Sequence, residues 1–335
     1  MKNVIITGAN GFTGSHILEE FRANPNDEYK TIAACRNRIK LPNWYEGEAL
    51  IGDLSNHTYI ENLTEKADVI CHTAAWAEMN GSIENSEKYF YNPTMNLINT
   101  ALRNKVKRFI FLSAITSNPI ELNKIHSKRK LEKIWPHYNS IIKIETHLEK
   151  ISKKGMEIVI LRVGYFTGKN YALGLLPILL PRLKTHLVPW IKNGKTTLPL
   201  IDGRDIGQVF RLSAIAQLKE EFNSIDVVGK EIPTVKEVFN YLHKKYKYPL
   251  PHFSVSYRFA HRFARFMQLI HRIIPGDPLI VPAIVLLLEE THATNKKAER
   301  ILNYKSKIHW KESVDIQIAE MKIKQYPKMK MNKEI

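Results

Sequence analysis

The stretch ITGANGFTG at residues 6–14 carries a glycine at every third position, directly after the apolar run 4–6. Such a run is typical of a buried strand, and the residues after the glycines have the apolar spacing of a helix. A strand, a glycine-rich turn and a helix in this order form an anion site, because the N–H groups and partial positive charge at a helix N-terminus attract phosphate. The chain is therefore predicted to begin with a phosphate-binding unit.

Each glycine in this stretch has its own physical reason. Gly8 permits the tight turn, Gly11 lets the backbone approach a pyrophosphate, and Gly14 lets the helix close on the strand. A turn with incidental glycines would leave the third one unexplained. We therefore predict a dinucleotide site in this loop, formed by Gly8, Asn10, Gly11, Phe12, Thr13 and Gly14.

Strand and helix patterns alternate through the first 165 residues. Between most of the strand-like runs, apolar residues recur at helical spacing. This alternation predicts an α/β fold of the Rossmann type, a doubly wound parallel sheet. The continuous apolar character of the runs fits burial on both faces. The β-branched runs lie at residues 3–7, 31–35, 49–51, 68–72, 108–113 and 157–162.

The pattern changes after residue 165, where three prolines interrupt an apolar segment. Further helices are predicted at about 205–218 and 234–246 from their apolar spacing. We predict an NAD(P)-binding domain at 1–165 and, at 166–330, a smaller C-terminal α/β lobe packed on it. This lobe is expected to shape the substrate pocket.

The composition excludes several classes of protein. Of the 335 residues, 44% are hydrophobic, which suffices for a large core. Cys35 and Cys71 lie in apolar runs and no Cys/His cluster has metal-ligand spacing, so we predict a reducing, cytoplasmic setting and no metal site. The N-terminus turns polar too early for a signal peptide. The longest apolar run, 279–288, contains Pro282 and is shorter than the roughly 20 residues of a membrane span.

The residue after the second predicted strand distinguishes two cofactors. An NAD site places an acid there for the ribose 2′-hydroxyl, whereas an NADP site places an arginine for the 2′-phosphate. Arg36 holds this position, and no Asp or Glu lies between Lys30 and Tyr45. We therefore predict NADP rather than NAD. A solvated surface arginine is the alternative.

The motifs together resemble the extended short-chain dehydrogenase/reductase superfamily, of the NAD(P)-dependent epimerase/dehydratase type. In this resemblance, the segment 52–54 is the adenine-side motif and 72–75 lines the cofactor. The segment 107–113 is the fifth strand, which ends in the active-site serine region, and 162–168 meets the nicotinamide. The C-terminal element is similar to 295–304. The resemblance implies that the cofactor also contacts Asp53, Leu54, Ala74, Ala75, Lys143 and Tyr165.

The superfamily uses a tyrosine as acid/base and a lysine four residues later, which lowers the tyrosine pKa and holds the ribose. Lys143 matches the lysine, but Asn139 stands four residues before it and Tyr138 stands five before it. In a helix, four residues place two side chains about 40° apart, whereas five place them about 140° apart. Tyr138 is therefore the candidate proton donor only if the helix begins irregularly.

The serine region also departs from the superfamily pattern. Ala114 stands where relatives often have the catalytic serine, with Ser113 and Thr116 nearby. By the resemblance, the candidate catalytic residues are Lys143, Tyr138, Ser113 and Thr116. A protein that binds the cofactor without the usual proton relay is the alternative.

Three functions are compatible with this resemblance. The first is an oxidoreductase acting on a small, hydrophobic alcohol or ketone, as in the sterol dehydrogenase and flavanonol reductase branches. The second is a cofactor-binding sensor or scaffold with a degenerate active site. The third is a nucleotide-sugar epimerase or dehydratase, in which a diphosphate would be held by Arg182, Lys184, Lys192 and Arg204.

The net charge of +17 is compatible with nucleic acid, a membrane surface or an anionic ligand, or with solubility alone. The segment 257–274 fits two interpretations, of which a helix that covers the pocket with its apolar face in the core is preferred. The other is a helix on an anionic membrane, because its phenylalanines share one helix face and its arginines form a narrow band beside it. The sequence has no groove-reading element or basic-aromatic sheet, so we do not expect nucleic acid. The oligomeric state is left open.

Overall fold

In the computed structural model, which describes residues 1–79, 81–118, 135–170, 175–270 and 280–324, seven parallel strands form one sheet. The strands are β1 Lys2–Thr7, β2 Tyr29–Cys35, β3 Ala49–Ile51, β4 Val69–His72, β5 Arg108–Ala114, β6 Glu157–Val163 and β10 Phe222–Val227. Their order across the sheet is β3-β2-β1-β4-β5-β6-β10, which confirms the doubly wound fold. Two short pairs lie outside this sheet, β7 Tyr165–Thr167 with β9 Leu200–Asp202 and β8 Trp190–Ile191 with β11 Ser254–Val255.

Twelve α-helices surround these strands in the described residues. They are α1 Phe12–Ala23, α2 His57–Glu65, α3 Ile83–Ser86, α4 Asn92–Arg103, α5 Pro136–Ile151, α6 Leu175–Leu183, α7 Gly203–Ile215, α8 Val235–Tyr246, α9 Tyr257–Ile270, α10 Pro282–Leu287, α11 Lys296–Leu302 and α12 Trp310–Lys324. A π-helical turn, Glu87–Tyr91, joins α3 to α4. The helices predicted near 205 and 234 are confirmed. Of the predicted helix 257–274, residues 271–274 lie outside the described part.

The strands are apolar throughout because both faces of the sheet are covered. In β1, Ile5 belongs to one buried cluster, whereas Val4 and Ile6 belong to another on the opposite face. Helices α4 and α5 contribute to the first cluster, and α1 and α7 contribute to the second. The alternation of side chains along each strand thus builds two cores from one sheet.

The second half of the chain contributes to both the sheet and a separate core. After residue 165, helix α7 packs on α1, and β10 pairs with β6. A third buried cluster is formed by α6, α8 and α12, through side chains such as Leu180, Val238 and Val314. The division into 1–165 and 166–330 stays a prediction, since the chain returns to the sheet after that boundary.

The carboxyl ends of the seven strands lie at one edge of the sheet because all of them are parallel. The strand order reverses between β1 and β4, and ligands of such folds bind in the crevice at this point. The glycine loop follows β1 directly. Within the described residues, none of the helices combines the length and apolarity needed to cross a bilayer.

Candidate active site

The glycine loop is shaped by two positions that exclude a side chain. Gly8 has φ +68°, and a Cβ there would lie 2.8 Å from the backbone N and Cα of Ala74. A Cβ on Gly14 would lie 2.3 Å from the carbonyl oxygen of Gly8. Gly8 thus brings the β1 turn against the loop after β4, and Gly14 brings helix α1 against that turn.

Gly11 lies at the N-terminus of α1 and leaves that terminus open. It is exposed, and a Cβ added at this position would contact only the Gly8 carbonyl oxygen, at 3.1 Å. No side chain within the described residues caps the helix. The first-turn N–H groups of a helix have no intrahelical partner. The loop therefore fits a pyrophosphate, with Asn10 and Phe12 half-buried and Thr13 buried in its wall.

Arg36 and Asp53 meet at the far side of the same edge. Arg36 is 78% exposed, and its Nη1 lies 4.0 Å from Oδ2 of Asp53. The backbone N–H of Ser55 donates to Asp53 Oδ1 at 2.8 Å, and this bond holds the pKa of Asp53 below its ordinary value, with Arg36 as a smaller cause. Leu54 packs half-buried on the core. The structure thus places two predicted adenine-side residues together.

A buried histidine that the sequence analysis did not single out supports this edge. His72 contacts the hydroxyls of Thr7 through Nδ1 at 2.8 Å and of Thr94 through Nε2 at 3.0 Å. The Thr7 hydroxyl in turn accepts from the backbone N–H of Thr73 at 3.2 Å. Burial lowers the pKa of His72 to about 3, so the imidazole is neutral at pH 7. His72 therefore fixes the loop in which Ala74 is half-buried and Ala75 is exposed.

A cavity of about 670 Å³ lies beyond the ends of β5 and β6, within the size range of small-molecule sites. Its inner end is lined by Ser113, Ala114, Val163, Gly164, Tyr165 and Phe166. The rest of the described lining is mostly aliphatic and aromatic, and Arg182 is its one residue with a permanent charge. The cavity is therefore suited to an apolar ligand.

The cavity adjoins the glycine loop through two stacked rings. Phe12, in the loop, stacks on Phe166, in the cavity wall, with ring centroids 5.4 Å apart. Tyr165 lines the cavity too, and its hydroxyl donates to the backbone oxygen of Leu287 at 2.6 Å. The cofactor loop and the cavity thus share a wall, as a hydride transfer between their ligands would require.

Helix α5 carries the predicted proton donor and the predicted lysine, and it orients them differently. Tyr138 is 0% exposed and stacks on Trp135 at 5.2 Å. Lys143 is 41% exposed, its Nζ lies 3.8 Å from Glu87 Oε1, and it lies 5.7 Å from the centre of the Tyr91 ring. Neither residue is among the described lining of the cavity. The structure therefore does not bring these two residues together at the cavity.

The Tyr138 phenol is buried beside the Thr116 hydroxyl, close enough to Glu145 and Arg162 to feel their charges. Within the described residues, its hydroxyl has no partner at hydrogen-bond geometry. Burial raises the pKa of Tyr138 far above its ordinary value, and the neighbouring Thr116 hydroxyl opposes this only in part. The hydroxyl of Thr116 is likewise buried without a partner there. The structure thus places Thr116 beside Tyr138 rather than in the cavity lining.

His137 is the residue of α5 that lines the cavity. Its ring packs against Phe90, with centroids 4.6 Å apart, and more loosely against Trp135 at 6.3 Å. Burial lowers the pKa of His137 to about 4. The cavity therefore contains a neutral imidazole at pH 7, close to the ends of β5 and β6.

Ser113 lines the cavity as well, and its hydroxyl is oriented by a buried ion pair. It donates to the carboxylate of Glu145, which also accepts from Ser117 at 2.5 Å. Arg162 donates to the same carboxylate from Nη2 at 2.7 Å and Nε at 3.1 Å. This network holds Ser113 at the cavity wall, where its hydroxyl also lies 3.0 Å from that of Ser117.

Residues 4–223 match the sequence model of the NAD dependent epimerase/dehydratase family. The chain belongs to this family. Family membership makes the protein a candidate NAD(P)-dependent enzyme and confirms the resemblance on which the sequence analysis relied.

Individual relatives are distant. The chain is 24% identical over 182 residues to the UDP-glucose 4-epimerase of Pisum sativum, covering 49% of this chain and 52% of that protein. It is 24% identical over 226 residues to the decarboxylating sterol-4-alpha-carboxylate 3-dehydrogenase of Dictyostelium discoideum, covering 64% and 67%. The chain thus spans about half the length of the first of these relatives.

The fold also matches a family structure that contains the cofactor. The UDP-glucose 4-epimerase of Thermus thermophilus, in complex with NAD, superposes with a TM-score of 0.66 at 17% identity. The match covers 96% of this chain and 99% of that one. This likeness shows the shared fold.

A signal for His137 was present in the sequence of this family member. Ile141, Ile144 and Leu148 recur at helical spacing and are buried, so they define the inner face of α5. Position 137 is four residues before Ile141, on the same face, whereas Lys143 lies on the opposite side. Extending this buried face by one turn toward the N-terminus would have included His137 among the inward-facing residues of α5.

Proposed function

We propose that the protein binds NADP(H) along the carboxyl edge of the sheet and interconverts a hydrophobic alcohol and its ketone in the adjoining cavity. The cofactor, when bound, accepts or supplies the hydride. The protein holds the substrate and takes or returns the hydroxyl proton. Both components of the alcohol's two-electron oxidation, one hydride and one proton, are thereby accounted for.

The apolar lining of the cavity is the observation that carries this proposal. A diphosphate would need several cations around it, yet of the four predicted cations only Arg182 is among the described lining residues. Arg204 is instead paired with Asp202 at 2.8 Å and with Glu312 at 3.0 Å. An apolar alcohol or ketone suits such a cavity better than a nucleotide sugar. The sterol-dehydrogenase relative agrees with this choice by its name.

We assign the proton transfer to His137. Burial keeps the imidazole neutral at pH 7, so a ring nitrogen can accept a proton from an alcohol during oxidation, and the low pKa makes it a weak base for this step. In the reverse direction, the imidazole must first be protonated, so reduction should accelerate as the pH falls toward about 4. The assignment of this role to Tyr138 stays a prediction, which variants of the two residues can decide.

Ser113 is the proposed partner of the substrate oxygen. The Ser113 hydroxyl donates to Glu145; turned into the cavity, it would donate to the substrate oxygen and leave the alcohol's own proton directed at His137. Thr116 has this role in the alternative assignment with Tyr138. The predicted contact of Lys143 with the ribose also remains a prediction, because its Nζ lies beside Glu87.

The remaining cofactor residues keep their proposed roles. Gly8, Gly11 and Gly14 would hold the pyrophosphate, and Arg36 would hold the 2′-phosphate of NADP. The adenine side would contact Asp53 and Leu54, and the loop after β4 would contact the cofactor through Ala74 and Ala75. A reducing, cytoplasmic setting is supported by two free, buried cysteines, Cys35 and Cys71.

The decisive experiment measures NADPH oxidation over a panel of carbonyl compounds of increasing apolarity, and NADP⁺ reduction over the matching alcohols. We expect turnover with apolar members, and none with UDP-glucose. Epimerisation leaves the cofactor unchanged overall, so conversion of UDP-glucose is followed by chromatography of its 4-epimer. Conversion of UDP-glucose alone would contradict the proposal and favour the epimerase alternative. Arg182→Gln would then abolish activity, whereas it should be mild for an apolar substrate.

A cofactor-binding protein without this chemistry is the second candidate. The observation in its favour is that Tyr138 and Lys143 are not brought together at the cavity. In this case, NADPH would bind in calorimetry, but no member of the panel would be turned over in either direction.

A further inference from the structure

Exposed apolar side chains are concentrated at one end of the cavity. Ten large hydrophobic residues are exposed in the described part of the chain, and six of them lie in this region. They are Leu187, Phe253, Phe259, Phe263, Phe266 and Leu269. A cluster of this kind marks an interaction surface, whereas single exposed apolar residues need no explanation.

Helix α9 is held to the protein by a narrow face. In α9, only Ala260 and Ala264 are buried. At about 100° per residue, Phe259, Phe263 and Phe266 fall within a band of about 60° whose centre lies about 110° around the helix from that of these alanines. Phe266 is 56% exposed and Leu269 is 59% exposed. The large apolar residues of the helix therefore face outward, contrary to the ordinary arrangement of a surface helix.

The arginines of α9 form a second band beside the phenylalanines. Arg258, Arg262 and Arg265 are exposed, and they too fall within about 60° of the helix circumference. An outward face that is half aromatic and half cationic is characteristic of helices that lie in the interface of an anionic bilayer.

The same aromatic band frames the opening of the cavity. Phe253, Phe259, Phe263 and Leu187 are exposed and also line the cavity. A ligand that entered here would pass between apolar side chains along its whole path. The entrance and the outward face of α9 are thus one continuous surface.

We propose that α9 docks on an anionic membrane, with the phenylalanines inserted among the acyl chains and the arginines at the phosphate groups, and that a lipophilic ligand enters the cavity from the bilayer. The charge of the surface selects this partner, because a net charge of +17 opposes the pairing of two copies. Ligand entry rests on the proposed function, whereas docking does not.

Docking is tested by flotation of the full chain with two kinds of vesicle, phosphatidylcholine alone and phosphatidylcholine with about 30% phosphatidylglycerol. We expect at least roughly tenfold stronger binding to the anionic vesicles, weakened by salt. Equal binding to both, or none, would overturn the proposal. So would a dimer in solution that Phe266→Ser dissociates without any vesicle binding by the native chain.

Two pairs of variants separate specific docking from nonspecific electrostatic and hydrophobic binding to the vesicles. The triple change R258Q/R262Q/R265Q should weaken binding about a hundredfold, at roughly fivefold per arginine. Its control removes the same charge at the opposite edge of the sheet, where Lys150, Lys153 and Lys154 are exposed. If K150Q/K153Q/K154Q weakened binding as much, nonspecific attraction would explain the data and the proposal would fail.

The exposed apolar residues of α9 are tested by F266S/L269S, which changes Phe266 in the phenylalanine band and Leu269 among the arginines and leaves the cavity lining intact. Its control is I39S/I83S, which changes two exposed apolar residues in the first 165 residues of the chain. We expect roughly tenfold weaker binding for the first variant and native binding for the second. In Phe266→Trp, the fluorescence of the added indole should also be quenched by brominated acyl chains. The absence of quenching would contradict insertion.

Entry from the bilayer is tested with one alcohol in detergent-free buffer and one embedded in the anionic vesicles. F266S/L269S should lower turnover of the embedded alcohol at least tenfold and leave that of the dissolved alcohol unchanged. Equal loss with both would contradict entry from the membrane. If the native chain turned over neither alcohol, the proposed function would fail while the flotation results would still decide docking.

Discussion

His137 and Tyr138 are neighbours in the sequence, yet only the His137 ring lines the cavity, while Tyr138 is fully buried against Trp135 at a centroid distance of 5.2 Å. A helix turns by about 100° per residue, so adjacent residues serve different environments. In α5 this rotation gives the polar, titratable ring to the cavity and the phenol to the core. The chemistry of the site therefore depends on which of the two is the proton carrier.

Turnover of the two variants should separate these roles. His137→Asn removes the proton acceptor but keeps a polar side chain, so we expect it to lower kcat by about 10² or more with little change in NADPH affinity. Tyr138→Phe should leave kcat within about twofold. The reverse result, a loss of 10² in Tyr138→Phe with native kcat in His137→Asn, would restore the tyrosine assignment and argue for a different helix start in solution.

Tyr138→Phe should also raise the stability of the fold. The hydroxyl is buried and has no partner at hydrogen-bond geometry within the described residues, and an unsatisfied polar group costs about 1–3 kcal/mol. We expect the free energy of unfolding in urea to rise by about 1 kcal/mol. A fall of that size would show that the hydroxyl is hydrogen-bonded in solution.

Two glycines of the loop should respond differently to a single methyl group. At Gly11 a Cβ finds only the Gly8 carbonyl, at 3.1 Å, so Gly11→Ala should keep the native melting temperature and weaken NADPH binding tenfold or more. At Gly14 the same carbonyl would lie at 2.3 Å, so Gly14→Ala should lower the melting temperature as well. Calorimetry and thermal unfolding of both variants check this. Native NADPH affinity in Gly11→Ala would indicate that the loop is only a turn.

The fold and the glycine loop could be predicted because their signals are local. The apolar run before Gly8 and the helix after Gly14 are each read from a few consecutive residues, and the doubly wound class follows from their alternation. The roles of His72 and Glu145 could not be predicted in this way. They depend on strands and helices brought side by side, such as Thr7 and Thr94 around the His72 ring.

The sequence analysis did not place His137 at the cavity for a related reason. Matching Lys143 to the superfamily pattern used one residue to set the orientation of helix α5. The burial of Ile141, Ile144 and Leu148 instead defines a whole inward face of the helix. A face is set by packing against the sheet and is the stronger constraint. The cavity itself, formed by segments more than a hundred residues apart, leaves no contiguous signal in the sequence.

Cofactor preference should depend on Arg36. An arginine that holds the 2′-phosphate contributes a charge-assisted hydrogen bond of roughly 1.5–3 kcal/mol, so the native protein should bind NADPH at least tenfold more tightly than NADH. Arg36→Ala should remove most of this difference, as measured by calorimetry. Arg103→Ala is a matched control, because Arg103 is also an exposed arginine paired with an acid, Glu61. Equal or tighter NADH binding by the native protein would refute the NADP assignment.

Three buried histidines, His16, His72 and His137, have lowered pKa values and should make the fold sensitive to mild acid. Burial lowers the pKa of His72 to about 3 and of His137 to about 4, whereas an unfolded histidine titrates near 6.5. Below about pH 6.5 the unfolded chain takes up protons that the folded chain does not, so stability present above that pH is lost as the pH falls toward these values.

Urea unfolding at pH 7.5 and pH 5 measures this loss. Integrating the linkage relation between these values gives roughly 2 kcal/mol for each of His72 and His137. His72→Asn should be less stable at pH 7.5, because it loses a bond to Thr7 or Thr94, but its further loss on going to pH 5 should be smaller by about 2 kcal/mol. His57→Asn, at an exposed position, should keep the native dependence. If His72→Asn is too unstable to measure, His137→Asn tests the same linkage, since it should reduce the loss by a similar amount. A native protein equally stable at both pH values would show that these imidazoles are accessible to protons in the folded state.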